Sequence, residues 1–241
     1  MVIRRIRQIV RKTGFDIVRF SPNQMGKDPL DDMARFLPDD RPTIFDVGAN
    51  TAQSTHRFRS RFPRSIIHSF EPSPTTFETL HQQATKLKDV NLWNCALGSV
   101  AGKMTFLENS NSIMSSFLPL SEFGWGKVAK ETLAEVKTLD QICRDEHIEK
   151  IDILKSDTQG FELEVFKGAE NAIRANNIRL IFFEVIFSDM YKGLPSVAEI
   201  YEFLTKRDFL LVSFYQFFYQ KQLARWADAL FVHKRYSQAG S

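Results

Sequence analysis

Residues 43–55, TIFDVGANTAQST, restrict the chain more than any other stretch. Thr43–Val47 is an apolar run of strand length with an acid, Asp46, near its end. Gly48, Ala49 and Asn50 make a turn, and the residues after it can open a helix. Strand, tight turn and helix N-terminus in succession are where an open α/β sheet receives a nucleotide-like ligand. The turn aims backbone N–H groups at the ligand, and glycine permits the close approach. Only one glycine of the G-x-G-x-x-G pattern is present, and Ala52 stands where a further glycine would favour a pyrophosphate. A ligand without a pyrophosphate fits better, and S-adenosylmethionine meets that description. Taken alone, these residues also suit an ordinary strand–helix turn with a structural glycine.

The next stretch narrows the choice. Residues 65–70, SIIHSF, read as a second strand ending at Glu71, and Pro72 and Pro74 bound the start of a helix over residues 75–87. An acid at the end of the second strand, roughly 20 or more residues past the glycine turn, suits the two hydroxyls of a ribose. A surface glutamate capping the next helix is the alternative. A third strand is expected over 90–96 and an extra one over 102–107. Residues 109–126 lack periodicity and are rich in Ser, Asn, Gly and Pro, which suits a binding loop or lid that closes over an acceptor and is mobile without it. Phe117, Phe123 and Trp125 within it are placed to stack on a sugar face. A short strand over 133–136 precedes a helix capped by Thr138 and running to Glu146, with Asp140 in its first turn.

Ile151–Ser156 reads as a fourth strand, and alternation puts Lys155 and Asp157 on one side at its carboxyl end. Residues 178–185 form a fifth, apolar enough to be buried on both faces. Glu184 near its end is costly there unless paired or functional. Val197–Thr205 is helical, and residues 209–215 and 228–233 make a closing antiparallel pair.

Bulk properties exclude several classes. A formal net charge of +3 gives no electrostatic case for nucleic acid. Cys95 and Cys143 lie far apart, so neither a zinc site nor a disulfide framework follows, and a reducing, cytoplasmic setting is the simple reading. No apolar run is long enough to span a membrane, and no secretory signal is visible. Residues 2–12, VIRRIRQIVRK, form a basic amphipathic helix that can lie on an anionic membrane surface or pack its stripe on the domain or on a second copy in a homo-oligomer. Shortness and the lack of aromatic anchors favour packing. The expected organisation is a basic helix and connector over 1–38, with the connector at 21–32. A single domain over 39–236 comes next, then a disordered tail over 237–241.

Several motifs recur together in order: DVGAN at 46–50, FEPSP at 70–74, NCALGSVAGKMTF at 94–106, TLD at 138–140, LKSDTQGFELEVFKGAE at 154–170 and FFEV at 182–185. The set, spanning roughly residues 40–190, resembles the FkbM-type family of S-adenosylmethionine-dependent O-methyltransferases. The resemblance implies an α/β, Rossmann-like seven-stranded methyltransferase fold, mostly parallel with an antiparallel closing strand. It also implies methylation of a hydroxyl on a sugar, glycan or polyketide-type natural product. Two positions depart from the family pattern. Ala52 replaces a usual glycine, which would tighten or shift the methionine pocket. Thr158-Gln159 replaces a small apolar residue and Glu, which puts a catalytic role for Gln159 in doubt.

Under that resemblance, Asp46, Gly48 and Asn50 would bound the methionine half of the cofactor, with the Asp46 carboxylate reaching its ammonium. Ser54 and neighbouring amides would take its carboxylate, Glu71 its ribose, and Asn94, Ala96 and Leu97 its adenine. Asp157 also lies at this pocket. An alcohol nucleophile needs a general base, and the candidates are Asp157, then Glu184, then His233. Asp157 and Glu184 can alternatively share a divalent metal such as Mg2+, or Asp157 can simply cap the following helix. His56, His68, His81 and His147 receive no role. Two other classes remain: a nucleotide-dependent oxidoreductase on a Rossmann-like fold, and a non-catalytic module that keeps the cofactor pocket.

Overall fold

The computed structural model describes residues 2–17 and 24–237, without the side chains of Val2 and Ile3. Connector positions 21–23 and tail positions 238–241 lie outside the described residues. In chain order the elements are α1 (Val2–Arg11), α2 (Pro29–Ala34), β1 (Thr43–Val47), α3 (Gln53–Arg61), β2 (Ile66–Phe70), α4 (Pro74–Ala84), β3 (Val90–Trp93), β4 (Ala96–Leu97), β5 (Gly102–Asn109) and β6 (Val128–Lys137). Then come α5 (Leu139–Asp145), β7 (Ile151–Ser156), α6 (Glu162–Lys167), α7 (Glu170–Arg174), β8 (Ile178–Ile186), α8 (Val197–Thr205), β9 (Phe209–Gln220) and β10 (Leu223–His233).

Seven strands form one sheet in the order β3-β2-β1-β7-β8-β10-β9. The first five run parallel, while β10 and β9 close the sheet antiparallel. From β1 the chain winds outward to β2 and β3, then crosses back to β7 on the other side of β1. The carboxyl ends of β1 and β7 therefore form the switch point where an open α/β sheet leaves a crevice. Alternation along the central strands feeds two cores. Phe45, Val47, Leu154, Ile181 and Phe183 pack with α5, α6, α7 and α8 on one face. Ile44, Ile153, Leu180 and Phe182 pack with Met33 and Phe58 on the other. Such two-faced burial explains why β7 and β8 read as near-continuous apolar runs.

Four expectations change. The strand expected over 90–96 breaks after Trp93, because the Asn94 side-chain amide donates to the carbonyls of Glu71 (2.8 Å) and Pro72 (3.4 Å) and turns the chain. Ala96–Leu97 then joins a separate three-stranded sheet, β4-β6-β5. The closing pair is longer than its apolar core, since β9 and β10 continue as a hairpin around Lys221 and Gln222. Both turn residues have positive φ (49° and 66°), as in a two-residue primed turn, but lack the Asn or Gly that would have marked it.

The third change lies in the connector. Its second half is part of the packed body: Asp28 caps α2 and Met33 is fully buried. Asp32 accepts from Gly26 N (2.6 Å) and from the Tyr215 hydroxyl (2.7 Å). The fourth concerns α1. Among the described side chains of its apolar stripe, Ile6 and Ile9 stay 46% and 65% exposed rather than packing on the domain. Asp16 ties Arg7 and Arg11, holding α1 to its own following turn instead. Among the described residues no helix is long and apolar enough to cross a membrane.

Candidate active site

A cavity of about 390 Å3 opens at the switch point, the size of a small-molecule site. Its lining follows the sheet order: Glu71 after β2, Gly48 and Asn50 after β1, Asp157 after β7, Glu184 on β8 and Asp228 on β10. Residues 112–115, Phe117 and Trp125 line it from the long 109–126 segment. That segment is fastened rather than loose. Ser116 exchanges backbone bonds with Leu107 and donates its hydroxyl to the Gln159 carbonyl (2.8 Å), and Asn109 Nδ2 donates to the Trp125 carbonyl (2.9 Å). Phe117 and Trp125 reach the cavity; Phe123 points to solvent.

On the turn side, Gly48 sits at φ +72°, and a Cβ there would collide with the Asp157 carbonyl. Glycine is thus required both by conformation and by the approach of β7. Asn50 and Ala52 also take positive φ, 47° and 77°. An alanine in that region costs roughly 1 kcal/mol, which explains why a glycine suits position 52. Ala52 does not line the cavity; it packs with Ala49, Leu80 and Ala84 beneath α4. Glu71 is 6% exposed. Its two oxygens accept from Asn50 N (3.1 Å) and Ser73 N (2.9 Å), and each keeps a lone pair for a ligand hydroxyl. Burial pushes its carboxyl up to about 7, against the two backbone donors. Ala96 and Leu97 line the cavity beside it.

Two expected ligand contacts are taken by the scaffold. Asp46 lies inside, fully buried, and its carboxylate accepts from Ser54 Oγ (2.8 and 2.7 Å) and Thr55 Oγ1 (2.8 Å) and pairs with Lys155 Nζ (3.0 Å). It anchors α3 to β1 and β7 rather than meeting a ligand. Ser54 does line the cavity, though its hydroxyl proton is given to Asp46. Asn94 does not line it; its amide secures the backbone after β2.

Three carboxylates from three strands face the other side: Asp157, Glu184 and Asp228, the last paired directly across from Glu184. Gln159, at φ 55°, reaches between the first two. Its amide nitrogen donates to Asp157 Oδ1 (2.9 Å) and Glu184 Oε2 (2.8 Å), and its oxygen accepts from the Tyr191 hydroxyl (2.8 Å). Burial, then the charges of Asp157, Glu162 and Asp228, raise Glu184 well above the usual carboxylate range. Burial, with Asp157, pushes Asp228 up to about 6. Lys155 Nζ lies 3.9 Å from Asp157 Oδ2 and donates to the carbonyls of Gly48 (2.8 Å) and Val47 (3.3 Å). Burial disfavours its charge, but Asp46, Asp157 and Asp228 outweigh that and raise it.

A metal shared by Asp157 and Glu184 does not fit this arrangement. A hydrogen-bond donor, the Gln159 amide, occupies the space between the two carboxylates. Among the described residues no three His, Cys, Asp or Glu side chains are grouped to hold a metal ion. His233 belongs to the opposite edge of the sheet. β10 runs antiparallel, so its last residue lies beside the start of β8, where the His233 ring meets Phe209 and Nδ1 accepts from Arg235 N (3.2 Å). Asp228 escaped sequence reasoning, although its signal was present as an acid in an apolar strand run, two residues after Trp226 on the same face.

The family model for the methyltransferase FkbM domain matches residues 46–211. The chain belongs to the FkbM methyltransferase family. As a methyltransferase it is 25% identical to the 2-O-methyltransferase NoeI of Sinorhizobium fredii, over 68% of this chain and 71% of that one. It is 27% identical to the hexuronic acid methyltransferase AglP of Haloferax volcanii, over 57% of this chain and 54% of that one. A solved FkbM methyltransferase from Methylobacillus flagellatus superposes with a TM-score of 0.54 at 15% identity, covering 86% of this chain and 48% of the other. This methyltransferase thus spans about half the length of the last two, and the structural likeness concerns the fold.

Proposed function

We propose that this methyltransferase transfers a methyl group from S-adenosylmethionine to a hydroxyl of a sugar, glycan or polyketide-type natural product. The observation that carries the reading is one cavity with two unlike sides, a glycine turn beside Glu71 and a set of carboxylates across the switch point. The names of the relatives, a 2-O-methyltransferase and a hexuronic acid methyltransferase, support a sugar-like acceptor.

The residues present fit the cofactor. Glu71 has a free lone pair on each oxygen for ribose hydroxyls. The first amides of α3 carry no side-chain cap and can meet a carboxylate. Cys95, Ala96 and Leu97 offer an apolar wall for a base. When bound, the cofactor supplies a methyl group on a positively charged sulfur.

The chain's own work is then positioning and proton removal. Asp157, with its side chain 44% exposed and an ammonium 3.9 Å away, is the carboxylate that takes the hydroxyl proton. Burial and its acidic neighbours make Glu184 hold its proton more firmly than an ordinary carboxyl, and the Gln159 amide donates to both side chains. Mass spectrometry of glycans and small metabolites from cells with and without the gene tests the reading: a methyl ether present only with the gene is expected. Calorimetry that detects no binding of S-adenosylmethionine or S-adenosylhomocysteine would overturn it.

A further inference from the structure

We propose that Trp226, Phe218 and Trp125 form a second acceptor subsite, one that binds an apolar extension such as an acyl chain or aromatic aglycone. It rests on the acceptor reading above. Trp226 and Asp228 lie two residues apart on β10, and both line the cavity. Across the sheet Trp226 pairs with Ile186 on one side and Phe218 on the other. The Trp226 and Phe218 rings stack with centroids 4.0 Å apart and planes 11° from parallel. Trp125, from the segment that roofs the cavity, packs edge-on against both, at 5.2 and 5.7 Å. Phe218 is 40% exposed, so the stack begins beside the carboxylates and ends in solvent. Past it, at the hairpin tip, Tyr219 and Leu223 are 60% and 69% exposed.

The chemistry of the wall selects its occupant. A subsite for a second sugar needs donors and acceptors around the ring faces. The side chains packed with Trp125 and Trp226 include Met114, Ile186, Met190, Leu120 and Leu194, with Tyr191. The Tyr191 hydroxyl is already used by Gln159 and the Met114 carbonyl. What remains is C–H surface and aromatic faces, which favour an apolar group. Contiguous exposed aromatics of this kind mark binding surfaces. A second copy of the chain would also cover them, but continuity through Trp226 means that such a contact would close over the cavity mouth.

The test uses the full chain with S-adenosylhomocysteine present. Binding of n-octyl β-D-glucoside and methyl β-D-glucoside, both below the micelle concentration, is followed by tryptophan fluorescence and saturation-transfer NMR. The octyl compound should bind at least tenfold more tightly, with saturation reaching its chain protons. Phe218→Ser should remove that advantage and leave the methyl glucoside unchanged. Leu133→Ser, at an exposed position on β6, should alter neither. Equal affinities, no octyl glucoside binding, or saturation confined to sugar protons would overturn the subsite. So would a dimer in sedimentation equilibrium that Phe218→Ser dissociates, because the face would then belong to a second copy. Should Phe218→Ser unfold, the proton map on the wild type still decides. Calorimetry with S-adenosylhomocysteine separates the two readings. Cofactor binding without octyl preference defeats the subsite alone, whereas no cofactor binding defeats the methyltransfer reading beneath it.

Discussion

The two sides of the cavity are built on different principles. On the turn side the polar groups are main-chain amides and one acid, Glu71, already held by two backbone donors. Those polar groups all come from one β-α-β unit, while the apolar wall beside them, Ala96 and Leu97, comes from β4. On the carboxylate side, Asp157, Glu184 and Asp228 come from three strands and are brought together by sheet order, with one neutral amide, Gln159, to relieve their repulsion. A site that must recognise a constant ligand can be written locally. Under the proposed reading, the side that handles a proton is assembled from residues distant in sequence.

Substitutions can break or sharpen that contrast. The largest effect is expected at Asp157. Asp157→Asn should leave cofactor affinity and fold unchanged while turnover with the true acceptor falls about 10²–10⁴-fold, the usual cost of losing a general base. Near-normal turnover in stopped assays would leave Asp157 a structural acceptor for the Gln159 amide, a role Asn also fills, since α6 has Phe161 at its N-cap and no side-chain bond there.

Gly48→Ala should hit both sides at once, since the added Cβ meets the Asp157 carbonyl and the backbone is left-handed. Strain and overpacking together predict a loss of roughly 2–5 kcal/mol in denaturant unfolding. An unperturbed melting curve would mean that the two sides are not braced against each other.

Glu71→Ala should act on the turn side alone, weakening S-adenosylhomocysteine binding in calorimetry by about 1.5–3 kcal/mol, the range for a hydrogen bond to a charged group. Unchanged affinity would remove the ribose assignment.

The smallest effect concerns pH. Asp228 is raised in the fold from 3.8 to about 6, so the folded state binds its proton more tightly. The stability it contributes is full below pH 3.8 and is lost as pH rises through 6. Asp228→Asn lacks that loss. Relative to the wild type, the variant should gain on the order of 1–2 kcal/mol between about pH 4 and about pH 7, by urea unfolding at both values. A pH-independent difference would show that Asp228 is solvated in the native state.

Legibility in the sequence divides the same way. β1, β7 and α8 match their sequence boundaries because apolar runs end at turn or cap residues. Gly48 and Glu71 are legible because a close backbone approach requires glycine and an acid placed just after the second strand falls at the mouth of the crevice. Asp46 and Asn94 mislead. Both sit in the right motif, yet whether a side chain faces the ligand or the scaffold depends on which neighbour reaches it first, here Lys155 and the Glu71 carbonyl. His233 misleads because a closing strand that runs antiparallel carries its last residue to the wrong edge. Asp228 is hidden by the same strand, whose partner on β8 no local pattern specifies. The hairpin beyond it lacks turn residues with a known signature.

Beneath the cavity, the hydrogens of the Lys155 ammonium are committed to Asp46 and to the carbonyls of Val47 and Gly48, across the seam between β1 and β7. The amine borders the cavity floor but is almost fully buried, so it meets an acylating reagent only when its three partners let go at that seam. Among the lysines of the chain it would be the slow one to label, and the pace of its labelling would serve as a clock for the opening of the central sheet.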